Sequence, residues 1–176
     1  MDFILREWRR EDAADVARYA DNEEIARNLR DVFPHPYTLA DARGFVDICV
    51  TGDPEITLFR AIEADGHVIG SIALSRGSDV YQKTAELGYW LAEEHWGKGI
   101  MTEAYAEVLR FLFEEVGFHR IESSHAVQNP ASGRVMEKCG LVYEGTFRKE
   151  FRLPSTGEWA DIVHRAILKE DYFRGK

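Results

Sequence analysis

The chain has 176 residues, of which 45% are hydrophobic, and 22 basic against 31 acidic residues give a formal net charge of −9. This composition excludes a disordered chain, a helical membrane span and a disulfide or zinc framework, since the two cysteines, Cys49 and Cys139, are widely separated. We expect one cytoplasmic domain over residues 1–176 that binds neither membrane nor nucleic acid, because the acidic charge repels phosphate and favours cationic partners.

The first half of the chain predicts a short strand, three helices and an antiparallel meander. Thr38 with Asp41 is a helix-capping pattern, and Asp21 with Glu24 repeats this pattern one helix earlier. Asp65-Gly66 lies between two alternating apolar runs, which predicts a two-residue hairpin turn. The predicted elements are a strand at 3–8, helices at 10–20, 23–29 and 38–50 with a proline-rich break at 31–36, and strands at 57–62, 68–74 and 85–91.

The second half predicts a crossover followed by a terminal hairpin. A long helix between two strands is typical of a right-handed βαβ unit. Asn129 followed by Pro130 predicts a helix start, and Gly140 supplies the left-handed residue that ends the same helix. These elements, which together predict an α+β fold around a mixed sheet, are a helix at 101–116, a strand at 120–127, a helix at 130–139, and strands at 142–153 and 159–168.

The loop before the long helix is the most informative segment of the chain. Gly97 and Gly99 flank Lys98 there, and glycines let backbone N–H groups converge on an anion without obstruction from a Cβ atom. The helix N-terminus adds unpaired donors and a partial positive charge. We therefore predict a loop that binds a pyrophosphate group.

Three kinds of pyrophosphate loop compete for this segment. A P-loop is excluded, because Ala92 and Gly99 stand where it needs a glycine and a Ser or Thr. A dinucleotide loop stays open: Gly97 and Gly99 fit, and Glu122 lies at the distance of a ribose-binding acid, although Thr102 replaces the third glycine. The third ligand is acetyl-coenzyme A.

The acetyl-CoA interpretation comes from a resemblance to the GNAT N-acetyltransferases, especially their RimJ and RimL branch. Three blocks carry it, in the expected order along nearly the whole chain: 86–91 with 96–104, 129–145, and Trp159-x-Asp161. The resemblance implies a mixed, mostly antiparallel sheet of about seven strands, with helices on both faces and splayed strands that form an acetyl-CoA cleft. Gly88 is then expected to be the bulge residue at which those strands part.

The resemblance also assigns residues that bind acetyl-CoA, and it implies no bound metal ion. Those residues belong to the strand end, the glycine loop and two helix starts, and Ser132 is expected to stabilise the leaving sulfur as well. They are Trp90, Leu91, Trp96, Gly97, Lys98, Gly99, Ile100, Met101, Thr102, Asn129 and Ser132.

Acetyl transfer to an amine also needs a base, and the candidates are Glu86, Glu103, Glu144 and Glu150. Glu103 suits the helix dipole without any further role. In the resembling branch the base is a glutamate followed by phenylalanine, which Glu150-Phe151 matches with one residue fewer after Gly145. That offset turns a strand residue to the opposite face unless a bulge absorbs it. Glu150 is therefore either the general base or a solvent-facing acid.

The acceptor is the least specified part of the sequence. The rigid apolar loop at 33–37 lies where the family builds its acceptor wall, so Phe33, His35 and Tyr37 are substrate-binding candidates. Glu86 is a fourth candidate, because it precedes the expected bulge and could face the cleft. The resemblance implies direct transfer, in a ternary complex, to the N-terminal α-amine of a basic protein or peptide, and it is compatible with a homodimer. A small amine (an aminoglycoside, a polyamine or an amino acid) is the alternative acceptor, and a non-catalytic acyl-CoA sensor is the alternative function.

Overall fold

The computed structural model describes residues 2–30 and 32–175. The first residue of the predicted break at 31–36 and both limits of the predicted domain, Met1 and Lys176, lie outside these residues. Within them, no helix is both long and apolar enough to cross a bilayer. The elements are β1 (Ile4–Arg6), α1 (Ala13–Ala20), α2 (Glu23–Ala26), α3 (Leu39–Thr51), β2 (Thr57–Ala64), β3 (His67–Arg76), β4 (Thr84–Leu91), α4 (Ile100–Arg110), β5 (Arg120–Ala126), α5 (Pro130–Lys138), β6 (Val142–Arg152), β7 (Trp159–Leu168) and α6 (Lys169–Arg174).

The seven strands form one sheet in the order β1-β2-β3-β4-β5-β7-β6. β4 and β5 are parallel, and every other neighbouring pair is antiparallel. The parallel pair is joined through α4, which continues as a π-helical segment at Phe111–Val116. The predicted mixed, mostly antiparallel sheet with a meander, a crossover and a terminal hairpin is therefore confirmed.

Two helix ends form as the sequence predicts. At the start of α3, Thr38 Oγ1 accepts from the Asp41 N–H at 3.2 Å, and the Asp41 carboxylate accepts from the Thr38 N–H at 2.8 Å. At the end of α5, Gly140 has a φ of +87° and the Leu141 N–H reaches back to the Met136 carbonyl. Local capping rules are sufficient at both positions because every partner lies within five residues along the chain.

The start of α2 differs from the prediction. Asn22, rather than Asp21, caps this helix, and its side chain accepts from the N–H groups of Glu24 and Ile25. Asp21 instead accepts from the Tyr37 N–H at 2.8 Å, which ties the loop before α3 to the start of α2. The predicted Asp21 cap is wrong because Asn and Asp cap equally well, and the bond to Tyr37 is not a local interaction.

Helices cover both faces of the sheet, as predicted, and successive residues of β4 show the two layers. Leu87 and Leu91 pack beneath α4, in the clusters that contain Tyr105 and Ala104. Trp90 points to the other face and packs among side chains of α1, α2 and α3. Alternating side chains of a strand lie on opposite faces, so each face of β4 belongs to a separate apolar layer.

β4 and β5 diverge after a short paired segment. Their parallel pairing covers three residue pairs and ends at Glu86 and Glu122. Beyond that point β4 continues along β3, and β5 continues along β7. Gly88 stays in regular register with Ala73 of β3, so the predicted bulge at Gly88 is wrong. The opening arises because the pairing with β5 stops, and no extra residue is inserted into β4.

A buried chain of hydrogen bonds lies at the point of divergence. The Ser123 hydroxyl donates to the Leu87 carbonyl at 2.6 Å, and the Tyr105 hydroxyl lies 2.7 Å from Ser123 Oγ. Because the single hydroxyl proton of Ser123 is directed to Leu87, Tyr105 is the donor in the second bond. Tyr105 and Ser123 are only 0% and 2% exposed. Burial raises the pKa of Tyr105, which keeps this hydroxyl protonated.

We predict that Ser123→Ala destabilises the protein, because it leaves the Leu87 carbonyl and the Tyr105 hydroxyl without partners in the interior. The expected loss of unfolding free energy is about 1–3 kcal/mol. Urea denaturation measures it. Ser75→Ala is the matched control, since Ser75 is an exposed strand serine on β3, and its effect should stay within about 0.5 kcal/mol. Equal midpoints for the two variants would show that the buried hydrogen bonds do not stabilise the splayed strands.

Candidate active site

A cavity of about 510 Å³ opens between the diverging ends of β4 and β5. Its wall includes the starts of α4 and α5 on one face of the sheet and α2 on the other. All the predicted cofactor residues except Lys98 line it. They are Trp90, Leu91, Trp96, Gly97, Gly99, Ile100, Met101, Thr102, Asn129 and Ser132.

The loop before α4 brings backbone donors to this cavity. Gly97 and Gly99 have φ angles of +73° and +85°, in the left-handed region where a side chain is strained. Gly99 immediately precedes α4, and no side chain caps this helix end. The first N–H groups of α4 therefore lack helical partners, and the helix dipole gives this end a partial positive charge. A Cβ atom at Gly97 would meet no atom within 4 Å, so the space in front of the loop is open.

Trp96 fixes the segment that joins β4 to the glycine loop. Its indole Nε1 donates to the Leu91 carbonyl at 2.8 Å, although the residue is 43% exposed. This bond stabilises the turn in which β4 gives way to the loop. It also supplies the Leu91 carbonyl with a partner from within the chain, which the sequence did not indicate.

On the α5 side, Ser132 lies in a small hydrogen-bond network. The Asn129 side chain accepts from the Ser132 N–H at 3.3 Å and donates to Ser132 Oγ at 3.2 Å. The Tyr89 hydroxyl donates to the Ser132 carbonyl at 3.1 Å. Burial raises the pKa of Tyr89 to about 12, so its hydroxyl remains a donor at neutral pH. Because Asn129 donates to Oγ, the hydroxyl proton of Ser132 is free to point towards a ligand in the cavity.

The opposite face of the sheet carries acidic and polar side chains beside the cavity. Glu86 is the partner of Glu122 across β4 and β5, and Ser124 is the partner of His164 across β5 and β7. Cross-strand partners share a face, and residues two apart on β5 share it too. These four side chains therefore lie on one face, and among them Ser124 lines the cavity.

Glu150 contacts this face through His164. A Glu150 carboxylate oxygen lies 2.7 Å from His164 Nε2, and the two side chains are 40% and 34% exposed. Glu150 lies in a bulge: the three residues of β6 between Phe147 and Phe151 oppose a single residue of β7, Asp161. Lys149 within the bulge has a φ of +54°. Neither Glu150 nor His164 lines the cavity wall directly.

Asp161 holds this bulge in place. Its carboxylate accepts from the Lys149 N–H at 2.9 Å, at the residue with the left-handed backbone. The Trp159-x-Asp161 block therefore has a structural role that supports Glu150. His164 was not a candidate from the sequence. His164 is identified by the pairing of β5 with β7, which places His164 opposite Ser124. This pairing cannot be read from any single segment of the sequence.

The other acidic candidates have different surroundings. Arg120 donates to Glu122 at 3.0 Å and to Glu144 at 2.7 Å. The hydrogen bond from Arg120 lowers the pKa of Glu144, which makes this carboxylate a poorer proton acceptor. Glu103 lies in the first turn of α4, where a carboxylate suits the helix dipole.

The predicted acceptor wall lies one layer behind the cavity. The ring of Phe33 packs against Tyr37 and Trp90, with centroids 4.8 and 5.9 Å apart. His35 pairs with Asp21 at 3.3 Å. The residues of this region that do line the cavity come from α2 and the turn after it, and sequence reasoning did not find them. They are Glu24, Ile25, Arg27, Asn28 and Leu29.

Both cysteines are unsuited to form an acetyl-enzyme. Burial raises the pKa of Cys49 to about 12 and that of Cys139 to about 11. Both thiols are therefore protonated at neutral pH, and the thiolate is the nucleophilic form of cysteine. Among the described residues, no group of three or more His, Cys, Asp and Glu side chains is placed to hold a metal ion.

Comparison with known proteins gives the following relatives. The profile of the acetyltransferase (GNAT) domain matches residues 2–142. "Probable N-acetyltransferase YjcK" of Bacillus subtilis is 40% identical over 61% of this chain and 59% of its own length. The spermidine N(1)-acetyltransferase of Vibrio cholerae is 30% identical over 62% of each chain. The ribosomal-protein-serine acetyltransferase of Escherichia coli is 32% identical over 58% of this chain and 57% of its own length. The alignments thus span about three fifths of these relatives.

Solved structures match over almost the whole chain. Mycobacterium smegmatis RimJ, in complex with CoA-disulfide, has a TM-score of 0.82 and 26% identity, with 96% of this chain and 83% of that chain covered. Vibrio cholerae spermidine N-acetyltransferase, in complex with CoA and spermine, has a TM-score of 0.79 and 25% identity, with 97% and 98% covered. The family profile covers most of the chain and the splayed sheet agrees with it: the chain belongs to the GNAT acetyltransferase family.

Proposed function

We propose that the chain acts as one domain that transfers the acetyl group of acetyl-CoA to the N-terminal α-amine of a protein or peptide. The observation that carries this proposal is a cavity with walls from both faces of the sheet. One side offers backbone donors at Gly97 and Gly99, and on the other Ser124 of the wall is the cross-strand partner of His164, which pairs with Glu150. Two substrates can therefore approach the same opening from opposite faces and meet in a ternary complex.

The residues around the cavity fit acetyl-CoA, which supplies the acetyl group as an activated thioester. The first turn of α4 and the open loop before it suit a pyrophosphate, and Lys98 adds a positive charge. The edge of β4 beyond Glu86 has no partner strand, so its backbone groups can bind the amide-containing pantetheine arm as an added strand would. A dinucleotide would need the third glycine that Thr102 replaces.

Ser132 is the group that we assign to the departing sulfur. Its hydroxyl lines the cavity and is oriented by the bond from Asn129 Nδ2 to Oγ. A serine hydroxyl is too weak an acid to protonate a thiolate outright. A hydrogen bond from Ser132 can nevertheless stabilise the negative charge that develops on sulfur as the C–S bond breaks.

The acceptor side suits an amine of modest basicity. An α-amine has a pKa near ~8, whereas a lysine side chain has one near ~10.4, so only the α-amine is partly neutral at physiological pH. Acidic groups on the open face and a net charge of −9 attract a cationic peptide. The relative named for ribosomal-protein serine acetylation supports the same acceptor class.

A polyamine is the second candidate, and one observation favours it. Glu86 and Glu122 are neighbouring carboxylates on the acceptor face, and such a pair suits a ligand with several ammonium groups. The similarity to the spermidine acetyltransferase of Vibrio cholerae points the same way. Arg120 already neutralises part of this charge by pairing with Glu122, which is why we rank the peptide first.

Gly99→Val should weaken acetyl-CoA binding at least tenfold, or ~1.4 kcal/mol, because a branched side chain at this φ would distort the loop and fill the space in front of it. Calorimetry measures the affinity. Gly66→Val is the matched control, since Gly66 also has a positive φ, of +80°, and open space around it, but lies in the distant β2–β3 turn. Equal affinities in both folded variants would refute the loop assignment, and stabilisation by NADH but not by CoA would favour a dinucleotide.

The acceptor prediction uses a basic peptide with a free N-terminus and one internal lysine. We expect acetylation mainly at the α-amine, because the lysine is more than ~2 pKa units harder to deprotonate. Mass spectrometry of the product locates the acetyl group. We also expect kcat/KM for the peptide to fall as salt is added, because screening removes the attraction to the acidic face. The assignment would pass to the second candidate if the acetyl group were found on the lysine, or if spermidine were acetylated rapidly and the peptide were not acetylated at all.

A further inference from the structure

The Glu150–His164 pair has a defined hydrogen-bond direction. A neutral imidazole has one N–H donor and one lone pair, and a carboxylate can only accept. Because Nε2 lies 2.7 Å from the Glu150 carboxylate, Nε2 carries the proton and Nδ1 carries the lone pair. The plane of the ring is also set, since His164 lies against the Phe147 ring with centroids 4.2 Å apart and planes at 32°.

We propose that His164 is the general base of the acetyl transfer, acting through Nδ1, and that Glu150 is the positioning residue that holds Nε2–H. This inference rests on the proposed transfer to an amine. Imidazole changes its protonation closest to neutrality, whereas a carboxylate is a weak base at the same pH. A carboxylate bound to one imidazole nitrogen orients the ring and stabilises the imidazolium that forms, as in hydrolytic triads.

His164 lies one strand away from the cavity wall, and in our proposal one water molecule lies between Nδ1 and the acceptor amine. His164 is the cross-strand partner of Ser124, and Ser124 is part of the cavity wall. Because His164 does not line the wall itself, proton transfer requires such a bridging water. The bulge at Lys149, held by Asp161, brings Glu150 to the same face as His164. The bulge in β6, its hydrogen bond to Asp161 and the pairing of β7 with β5 together determine the position of the Glu150–His164 pair.

The step balances in protons and bonds. A protonated amine loses one proton through the water to Nδ1, and His164 later releases this proton to solvent. The neutral nitrogen then forms the N–C bond while the C–S bond breaks. The second proton lost by the nitrogen balances the thiolate that leaves, so the products are the acetamide, CoA thiol and one proton in solution.

Charged groups on three strands surround the face that His164 occupies. They are Glu86 on β4, Arg120 and Glu122 on β5, and Glu144 and Glu150 on β6. Four carboxylates and one guanidinium therefore share this face of the sheet with the imidazole.

The test compares kcat against pH for His164→Gln and Glu150→Gln, using whichever primary amine the unaltered protein acetylates fastest. Glutamine keeps an N–H donor for Glu150 but has no basic nitrogen. For His164→Gln we expect kcat to fall by about 10²–10⁴-fold and the rise of kcat near neutral pH to disappear. For Glu150→Gln we expect a smaller fall in kcat and a rise with pH that remains, because the imidazole is still present and only its orientation is less well fixed. Acetyl-CoA affinity should be unchanged in both.

Glu137→Gln is the matched control, since it removes a carboxylate from the Arg165 ion pair on the other side of β7, and it should keep the original profile. A profile that survives in His164→Gln but vanishes in Glu150→Gln would overturn the assignment in favour of the carboxylate. If His164→Gln fails to fold, His164→Asn replaces it, and the same two outcomes apply. Because the acceptor is chosen by measured turnover, a preference for polyamines would overturn the proposed acceptor without affecting this comparison.

Discussion

The structure depends on the bond from the Ser123 hydroxyl to the Leu87 carbonyl. In a regular parallel ladder the pairing of β4 and β5 would continue at this level. Here a side-chain oxygen satisfies the carbonyl, and the Tyr105 hydroxyl satisfies the serine in turn. Buried backbone groups need partners, and this relay supplies one at the point where the strands separate. The cavity, the free edge of β4 and the access from two faces all begin there.

The chain keeps two kinds of electrostatic environment apart by placing them on opposite faces of one sheet. On one face, backbone dipoles at Gly97, Gly99 and the start of α4 attract anions without adding net charge. On the other face, carboxylates from β4, β5 and β6 attract cations. The global charge of −9 therefore favours cationic ligands, while a local field of backbone groups can still attract an anion.

Features with partners close in sequence could be predicted. The glycine loop, the Thr38 cap and the Gly140 end depend on neighbours a few residues away, and the sequence places each of them correctly. The strand order could be expected only through the family resemblance, because register between strands distant in sequence is not encoded in any one segment. The resemblance was wrong about Gly88 for the same reason.

The side chains of the acceptor face could not be predicted from the sequence. The orientation of Glu150 depends on a bulge stabilised by Asp161, eleven residues further along the chain. His164 acquires its position from pairing with Ser124, and Asp21 leaves its expected cap for a bond to Tyr37. In each case a tertiary contact selects one of several locally equivalent arrangements, so the site is defined by the assembled sheet.

The short contact between β4 and β5 has a mechanical consequence. Three residue pairs are the sole ladder connecting a four-stranded half of the described sheet to a three-stranded half, so this narrow strip can serve as a hinge. Small rotations about it would change the width of the opening far from the strip. A ligand bound along the free edge of β4 and against the start of α5 would contact both halves and hold them together. Its binding energy would then add to the rigidity of the whole sheet.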